Sequence, residues 1–191
     1  MTNKEKRDNM KIKIITLKVF ILAVIIFMYS SNIIFAEKFI NVTRISGSDR
    51  YDTSIKISEE INNNGIISIA SGEHFADALS AGWLATQCKA PLLLVKKNEV
   101  PKNVYDRIVL LKANKTALVG GNNVISNDVE KTIEAITKKI YRISGEDRYL
   151  TSQLAEAAVS PILYDGSPAI ASDVVAVYNG NNFPDALAAT P

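Results

Sequence analysis

A stretch of eleven residues occurs twice in this chain: Arg44-Ile-Ser-Gly-Ser-Asp-Arg-Tyr-Asp-Thr-Ser54 returns 98 positions later as Arg142-Ile-Ser-Gly-Glu-Asp-Arg-Tyr-Leu-Thr-Ser152, with nine identities. A second match follows in the same order, Phe75-Ala-Asp-Ala-Leu-Ser-Ala81 against Phe183-Pro-Asp-Ala-Leu-Ala-Ala189, with Gly72 and Gly180 three residues upstream. Its offset is 108, so the second copy carries about ten extra residues. Pro161, Gly166 and Pro168 assign these to a surface loop over residues 161–172. A period near 100 is too long for a solenoid repeat and matches one small domain. One repeat is expected over residues 37–140 and a second over 141–191. Pro191 aligns with Trp83, which leaves the second copy half a sheet, so the chain reads as a piece of a longer protein.

Within the first copy, apolar runs at 39–45, 66–70, 91–96, 115–119 and 139–143 alternate with 3.6-residue patterns over Tyr51–Asn63, Phe75–Gln87, Val104–Lys112 and Ser126–Thr137. Ile66-Ile-Ser-Ile-Ala70 and Pro91-Leu-Leu-Leu-Val95 are apolar almost without alternation, as strands covered on both faces must be. Ser126 ahead of Asn127-Asp-Val-Glu130 is a helix start, a hydroxyl to cap the first turn and acids against its positive end. The alternation predicts an α/β fold: a parallel, doubly wound sheet in tandem repeats of about 100 residues, one complete and one truncated.

Residues 1–36 differ from the rest. Lys4, Lys6, Arg7, Lys11, Lys13 and Lys18 precede an uncharged run from Val19 to Ala36, the order of a secretory signal peptide. Cleavage is expected after Ala36, and a retained N-terminal anchor is the competing reading. Of 22 basic and 20 acidic residues, six and two lie in this segment, which leaves 16 and 18 and a net charge of −2 for the remainder. No basic run remains to suggest nucleic acid. Cys88 is the only cysteine and excludes an intramolecular disulfide; it reads as a small buried residue at a helix end.

In an open parallel sheet, ligands bind beyond the carboxyl ends of the strands, where the distinctive loops fall: Ser46–Arg50, Ser71–Asp77 and Gly120–Asn123. Arg44 and Arg50 offer planar, bidentate donors to carboxylate or phosphate, and helix N-termini add backbone N–H groups. Asp49 and Asp77 can accept sugar hydroxyls. Arg142, Asp147, Arg148 and Asp185 are their equivalents in the second copy. Two readings stand for this set: direct contact with an anionic glycan, or structural locking, with the aspartates as helix caps and Arg50 paired to Asp77. The glycines form neither GxGxxG nor GxxxxGK[ST], so no nucleotide site is expected. His74, the only histidine, becomes Asn182 in the second copy, and Glu73 becomes Asn181, so neither a Ser-His-Asp nor a two-carboxylate mechanism is repeated. No enzyme, metal or cofactor is expected. Trp83 reads as core rather than as a sugar-stacking platform.

Taken together, Arg44-Ile-Ser-Gly-Ser-Asp-Arg-Tyr51, Phe75-Ala-Asp-Ala-Leu79, Ala90-Pro-Leu-Leu-Leu94, Leu118-Val-Gly-Gly121 and Val124-Ile-Ser126 resemble the second cell-wall-binding repeat type of Gram-positive, especially clostridial, surface proteins. The resemblance implies an α/β module, usually in three tandem copies packed as a pseudo-trimer, that holds S-layer-associated proteins on an anionic secondary wall polymer. Pro91, Leu92, Leu93 and Leu94 resemble the family's Pro-Ile-Leu-Leu motif, associated with polymer binding. It further implies a secreted protein at the cell surface, with further repeats or an effector domain as partners and with the membrane met only through the leader.

Overall fold

The computed structural model describes residues 3–30, 42–62 and 64–164. The chain divides into two units, Met1–Thr43 and Arg44–Pro191. In the first, helix α1 spans Asn3–Ser30 and carries the basic cluster followed by the uncharged run as far as Ser30. Phe20, Leu22 and Val24 on it are exposed. Among the described residues no helix is long and apolar enough to cross a membrane.

The second unit runs α2 (Arg50–Glu59), β1 (Ile66–Ser71), α3 (Phe75–Gln87), β2 (Leu92–Val95), α4 (Lys102–Leu111), β3 (Lys115–Val119), α5 (Asn127–Glu134), β4 (Lys139–Ile143) and α6 (Arg148–Tyr164). The four strands form one parallel sheet in the order β2-β1-β3-β4. β1 is buried at all six positions, which accounts for its unbroken apolar run. One face of the sheet, with Ile67, Ile69, Leu93, Val95 and Leu118, is covered by Tyr51 and Ile55 of α2, Val104, Ile108 and Leu111 of α4, and Val129 and Ile133 of α5. The other face, with Ile66, Ala70, Ala117, Val119 and Ile143, is covered by Ala81 and Leu84 of α3 and by Ala155 and Ile162 of α6. The parallel doubly wound sheet is thus the observed architecture. Each fully buried Ile or Leu contributes about 1.5–3 kcal/mol to holding these layers together.

Four of the five expected strands are present and one is not. Residues 42–47 form no strand, and 39–41 lie outside the described residues. The place beside β3 is filled instead by Lys139–Ile143, the equivalent segment of the second copy, with Lys115 opposite Lys139 and Val119 opposite Ile143. The loop expected around Pro161 is also replaced. α6 starts in register with α2 but is seven residues longer, 17 against 10, and Pro161 lies inside it. Most of the second copy's insertion therefore extends a helix, and residues 165–172 lie outside the described residues. The lengthened end is held to the sheet, since Lys115 Nζ donates to the Ile162 carbonyl (2.7 Å) and the Tyr141 hydroxyl to the Pro161 carbonyl (3.3 Å). Trp83 is partly buried against the α3 and α6 layer, and Cys88 closes α3 fully buried, its thiol pushed up to about 11 by burial.

Thr116, in the middle of β3, is buried with no hydrogen-bond partner for its hydroxyl. A buried donor left unmade costs more than a methyl group of the same shape. Thr116→Val is therefore expected to raise stability by about 1 kcal/mol, read as a higher urea midpoint at unchanged slope.

Candidate functional site

The duplicated motif builds the same local structure twice. In the first copy Asp49 caps α2 by accepting from Asp52 N (2.7 Å), while Thr53 Oγ1 donates to the Asp49 carbonyl (2.7 Å) and accepts from Gly47 N (2.9 Å). In the second, Asp147 accepts from Leu150 N (2.8 Å), and Thr151 Oγ1 donates to the Asp147 carbonyl (2.9 Å) and accepts from Gly145 N (2.9 Å). A Cβ on Gly47 would lie 2.5 Å from Thr53 N, and one on Gly145 would lie 2.5 Å from Leu150 Cβ, so the folded-back loop demands glycine in both copies. Gly, Asp and Thr of the motif are thereby accounted for as a helix N-terminus.

The arginines have different surroundings. Arg50 is exposed and donates to the Gly72 carbonyl, not to Asp77 as the locking reading expected. Tyr51 packs against the same turn: a Cβ on Gly72 would come within 2.7 Å of its ring, which is why this turn lacks one. Burial, then the Glu73 charge, raises the Tyr51 hydroxyl above its ordinary range. The basic neighbours of Asp77 are His74 and Arg148, the second copy's equivalent of Arg50. Arg148 is exposed, with its guanidinium 5.9 Å from the centre of the Phe75 ring. Equivalent arginines of the two copies therefore reach the same β1–α3 turn, one at Gly72 and the other at Phe75.

Arg142 does not present its guanidinium at the rim. Its side chain is 17% exposed and is held by Glu130 (3.3 Å), by the Ile125 carbonyl (2.5 Å) and by the Asn122 side chain. Residue 142 lies in β4 against β3, so the sheet directs it onto the β3–α5 loop. Arg44, its first-copy equivalent, is exposed. Pro91 and Leu93 are buried, and Leu92 and Leu94 are partly buried against the α3 and α6 layer, so contact with a solvated polymer is closed to the first two side chains. The strand is tied to the motif instead: Leu94 N donates to Ser54 Oγ (3.2 Å). Asp185 lies outside the described residues.

β1 and β3 are the neighbours from which the chain winds in opposite directions, the position where open parallel sheets place their ligand crevice. Asp77, in the first turn of α3, sits there: a Cβ on Gly120 would come within 3.2 Å of its carboxylate, and Gly120 has φ +129°. The rim loops are already joined, because Lys97 N donates to Glu73 (3.0 Å) and Ser126 N donates to the Lys97 carbonyl (2.8 Å). Sequence reasoning did not single out Glu130 or Lys97. Glu130 was visible only as an acid in a first helical turn, and nothing local announces that the next strand brings an arginine to it. Among the described residues no group of His, Cys, Asp and Glu could hold a metal.

Burial raises the Asp77 carboxyl above its ordinary range, while His74 and Arg148 oppose the shift. A carboxyl whose folded pKa lies above the unfolded value binds its proton more tightly when folded. Stability from this source is present below about pH 4 and is lost as pH rises through the folded pKa. Asp77→Asn is expected to be more stabilising, or less destabilising, at pH 7 than at pH 3.5, and thermal midpoints of both proteins at the two pH values check the sign.

Residues 44–130 match the family model of cell wall binding domain 2 (CWB2). The chain is 29% identical over 152 residues to the N-acetylmuramoyl-L-alanine amidase LytC of Bacillus subtilis, which covers 79% of this chain and 29% of that protein. Its fold is similar to Cwp6 of Clostridium difficile, with TM-score 0.56 and 23% identity over 67% of this chain and 22% of that one. It is similar also to Cwp8 of Clostridium difficile, with TM-score 0.54 and 29% identity over 61% of this chain and 19% of that one. The chain thus spans less than a third of each of these relatives. The capped helix α2 and strands β1 to β3 of the parallel sheet lie in the stretch from Arg44 to Glu130 that matches cell wall binding domain 2 (CWB2).

Proposed function

We propose that this chain holds an exported protein on the Gram-positive cell wall by non-covalent binding of an anionic secondary wall polymer, without catalysis. The observation that carries the reading is the convergence of exposed Arg50 and Arg148 on one turn beside the switch-point crevice, a turn inside the stretch that matches cell wall binding domain 2. A guanidinium that is exposed at the rim and fixed in direction suits bidentate contact with phosphate or carboxylate groups. Asp49 and Asp147 each use one oxygen as a cap and are exposed, which leaves acceptors for sugar hydroxyls, and Asp77 faces the crevice. Asp185 takes the place of Asp77 in the second copy. Pro91, Leu93 and Arg142 act beneath this surface, and Leu92 and Leu94 reach it in part. Residues 1–36 serve as the secretory leader, with residues 37–140 and 141–191 as successive repeats.

The protein lacking its leader is incubated with purified walls before and after removal of the anionic polymer. Retention on intact walls alone is expected, falling several-fold between about 0.05 and about 0.5 M salt, because a module of net charge −2 must bind through local arginines. Equal retention on stripped walls overturns the reading. Arg50→Ala with Arg148→Ala is expected to weaken retention about tenfold, with the thermal midpoint recorded as a control for folding.

The similarity to an amidase makes a wall hydrolase the second reading, and Glu73 and Asp77 are the carboxylates it would need. Glu73 is engaged by Lys97 N, which favours a positioning role. In a gel containing embedded walls the chain is expected to leave no clearing zone; a zone abolished by Asp77→Ala would replace binding by turnover.

A further inference from the structure

Asn64 and Gly65 stand side by side just ahead of β1, each for its own structural reason. Gly65 has φ +82°, in the left-handed region, and a Cβ on it would lie 3.0 Å from the Asn114 side chain. Its carbonyl accepts from Asn114 N (2.7 Å) and Lys115 N (3.1 Å), which ties this corner to the start of β3. Asn64 uses both ends of its carboxamide. Oδ1 accepts from Ile66 N (3.1 Å), and Nδ2 donates to the Cys88 carbonyl (2.7 Å). Cys88 closes α3, so the second bond satisfies one of the carbonyls that a helix C-terminus leaves over.

An asparagine followed by glycine is also a reactive pair. The backbone nitrogen of the second residue attacks the carboxamide carbon of the first, and glycine has no side chain to obstruct the approach. The fold supplies what this reaction needs. The turn that lays Asn64 Oδ1 on Ile66 N also carries the carboxamide carbon toward the intervening Gly65 nitrogen, while β3 holds the Gly65 carbonyl in place. Negative charge develops on Oδ1 as the attack proceeds, and the Ile66 N–H already donates to that oxygen. Asn64 is exposed, so water reaches the site.

We infer that Asn64–Gly65 is a self-modifying site, an asparagine whose deamidation the folded chain promotes and whose loss releases the C-terminal end of α3. Gly65 N forms a bond to Asn64 Cγ, the Cγ–Nδ2 bond breaks, and ammonia leaves with the proton that Gly65 N gives up. Water then opens the succinimide at either carbonyl carbon and leaves aspartate or isoaspartate at position 64. Both products lack the donor to the Cys88 carbonyl. Aspartate also sets a negative charge at the negative end of α3, and isoaspartate inserts a carbon into the backbone just ahead of the buried strand β1. Arg50 reaches the turn at the other end of β1, so the change acts on the stability of the domain, independently of what the rim arginines bind.

The test follows position 64 in the whole chain held at neutral pH, by peptide mapping with mass spectrometry that resolves asparagine, aspartate and isoaspartate. A synthetic peptide of residues 60–69 under the same conditions gives the rate without the fold. The chain is expected to convert Asn64 about tenfold faster than the peptide. A rate equal to or below the peptide's overturns the inference. Ile66→Pro, at the first position of β1 where proline is tolerated, removes the N–H donor and is expected to bring the rate down to the peptide's. A folded Ile66→Pro chain that keeps the original rate overturns the role of that donor, and if the variant fails to fold, the comparison of chain with peptide decides. Asn64→Asp carries the product from the start. It is expected to lower the thermal midpoint and to speed amide exchange at the end of α3, and unchanged values overturn the release of that helix.

Discussion

A parallel strand buried on both faces needs a helical layer on each side, and this requirement organises the molecule. β1 lies at the centre of the sheet with every position buried. One layer, α2 with α4 and α5, comes entirely from the first copy. The other needs α3 and α6 together, and α6 belongs by sequence to the second copy. Small residues make the approach close: Ala70 and Ala117 on the sheet meet Ala81 and Ala155 on the helices, and Ser68 Oγ donates to the Ala81 carbonyl at 3.3 Å. The sheet is therefore complete only because the chain has passed into the second copy of the motif.

The duplicated motif is mainly an instruction for starting a helix. Glycine, aspartate and threonine are consumed by the cap, and serine anchors the edge strand β2. What remains for solvent is arginine, and the fold divides the arginines by strand and loop. The arginine inside the strand, as at Arg142, is directed onto a neighbouring loop and neutralised by Glu130. The arginine after the cap, as at Arg50 and Arg148, stays at the rim. Two arginines six residues apart, Arg142 and Arg148, thus have unlike environments, because one sits on a paired strand and the other on the first turn of a helix.

Much of the fold was legible in the residues. The unbroken apolar runs located β1, β2 and β3, and the helix Phe75–Gln87 was bounded correctly from its 3.6-residue pattern alone. Ser126 was identified as a cap, and it accepts from Val129 N in α5. The strand at 39–45 was not found in residues 42–45, since an apolar run specifies that a segment can pair and not that a partner edge is free. Pro161 was read as a loop former, yet it lies within α6, where burial of Ile162 and the Lys115 and Tyr141 hydrogen bonds hold the helix across it. The pairing of Arg50 with Asp77 failed for a related reason: the carbonyl of Gly72 is nearer to hand, and the arginine near Asp77 comes from the other copy.

By itself the sequence determined the parallel α/β class, the two capped motifs and the similarity of residues 44–130 to cell wall binding domain 2, because periodicity, capping and glycine turns act over a few residues and leave their mark locally. Only the tertiary structure decided that the segment after the second copy of the motif completes the sheet beside β3, which arginines stay exposed, and that Glu130 neutralises Arg142. Those outcomes depend on which strand edge and which helix face are already occupied, and occupancy is a property of the assembled sheet that no short stretch of residues encodes.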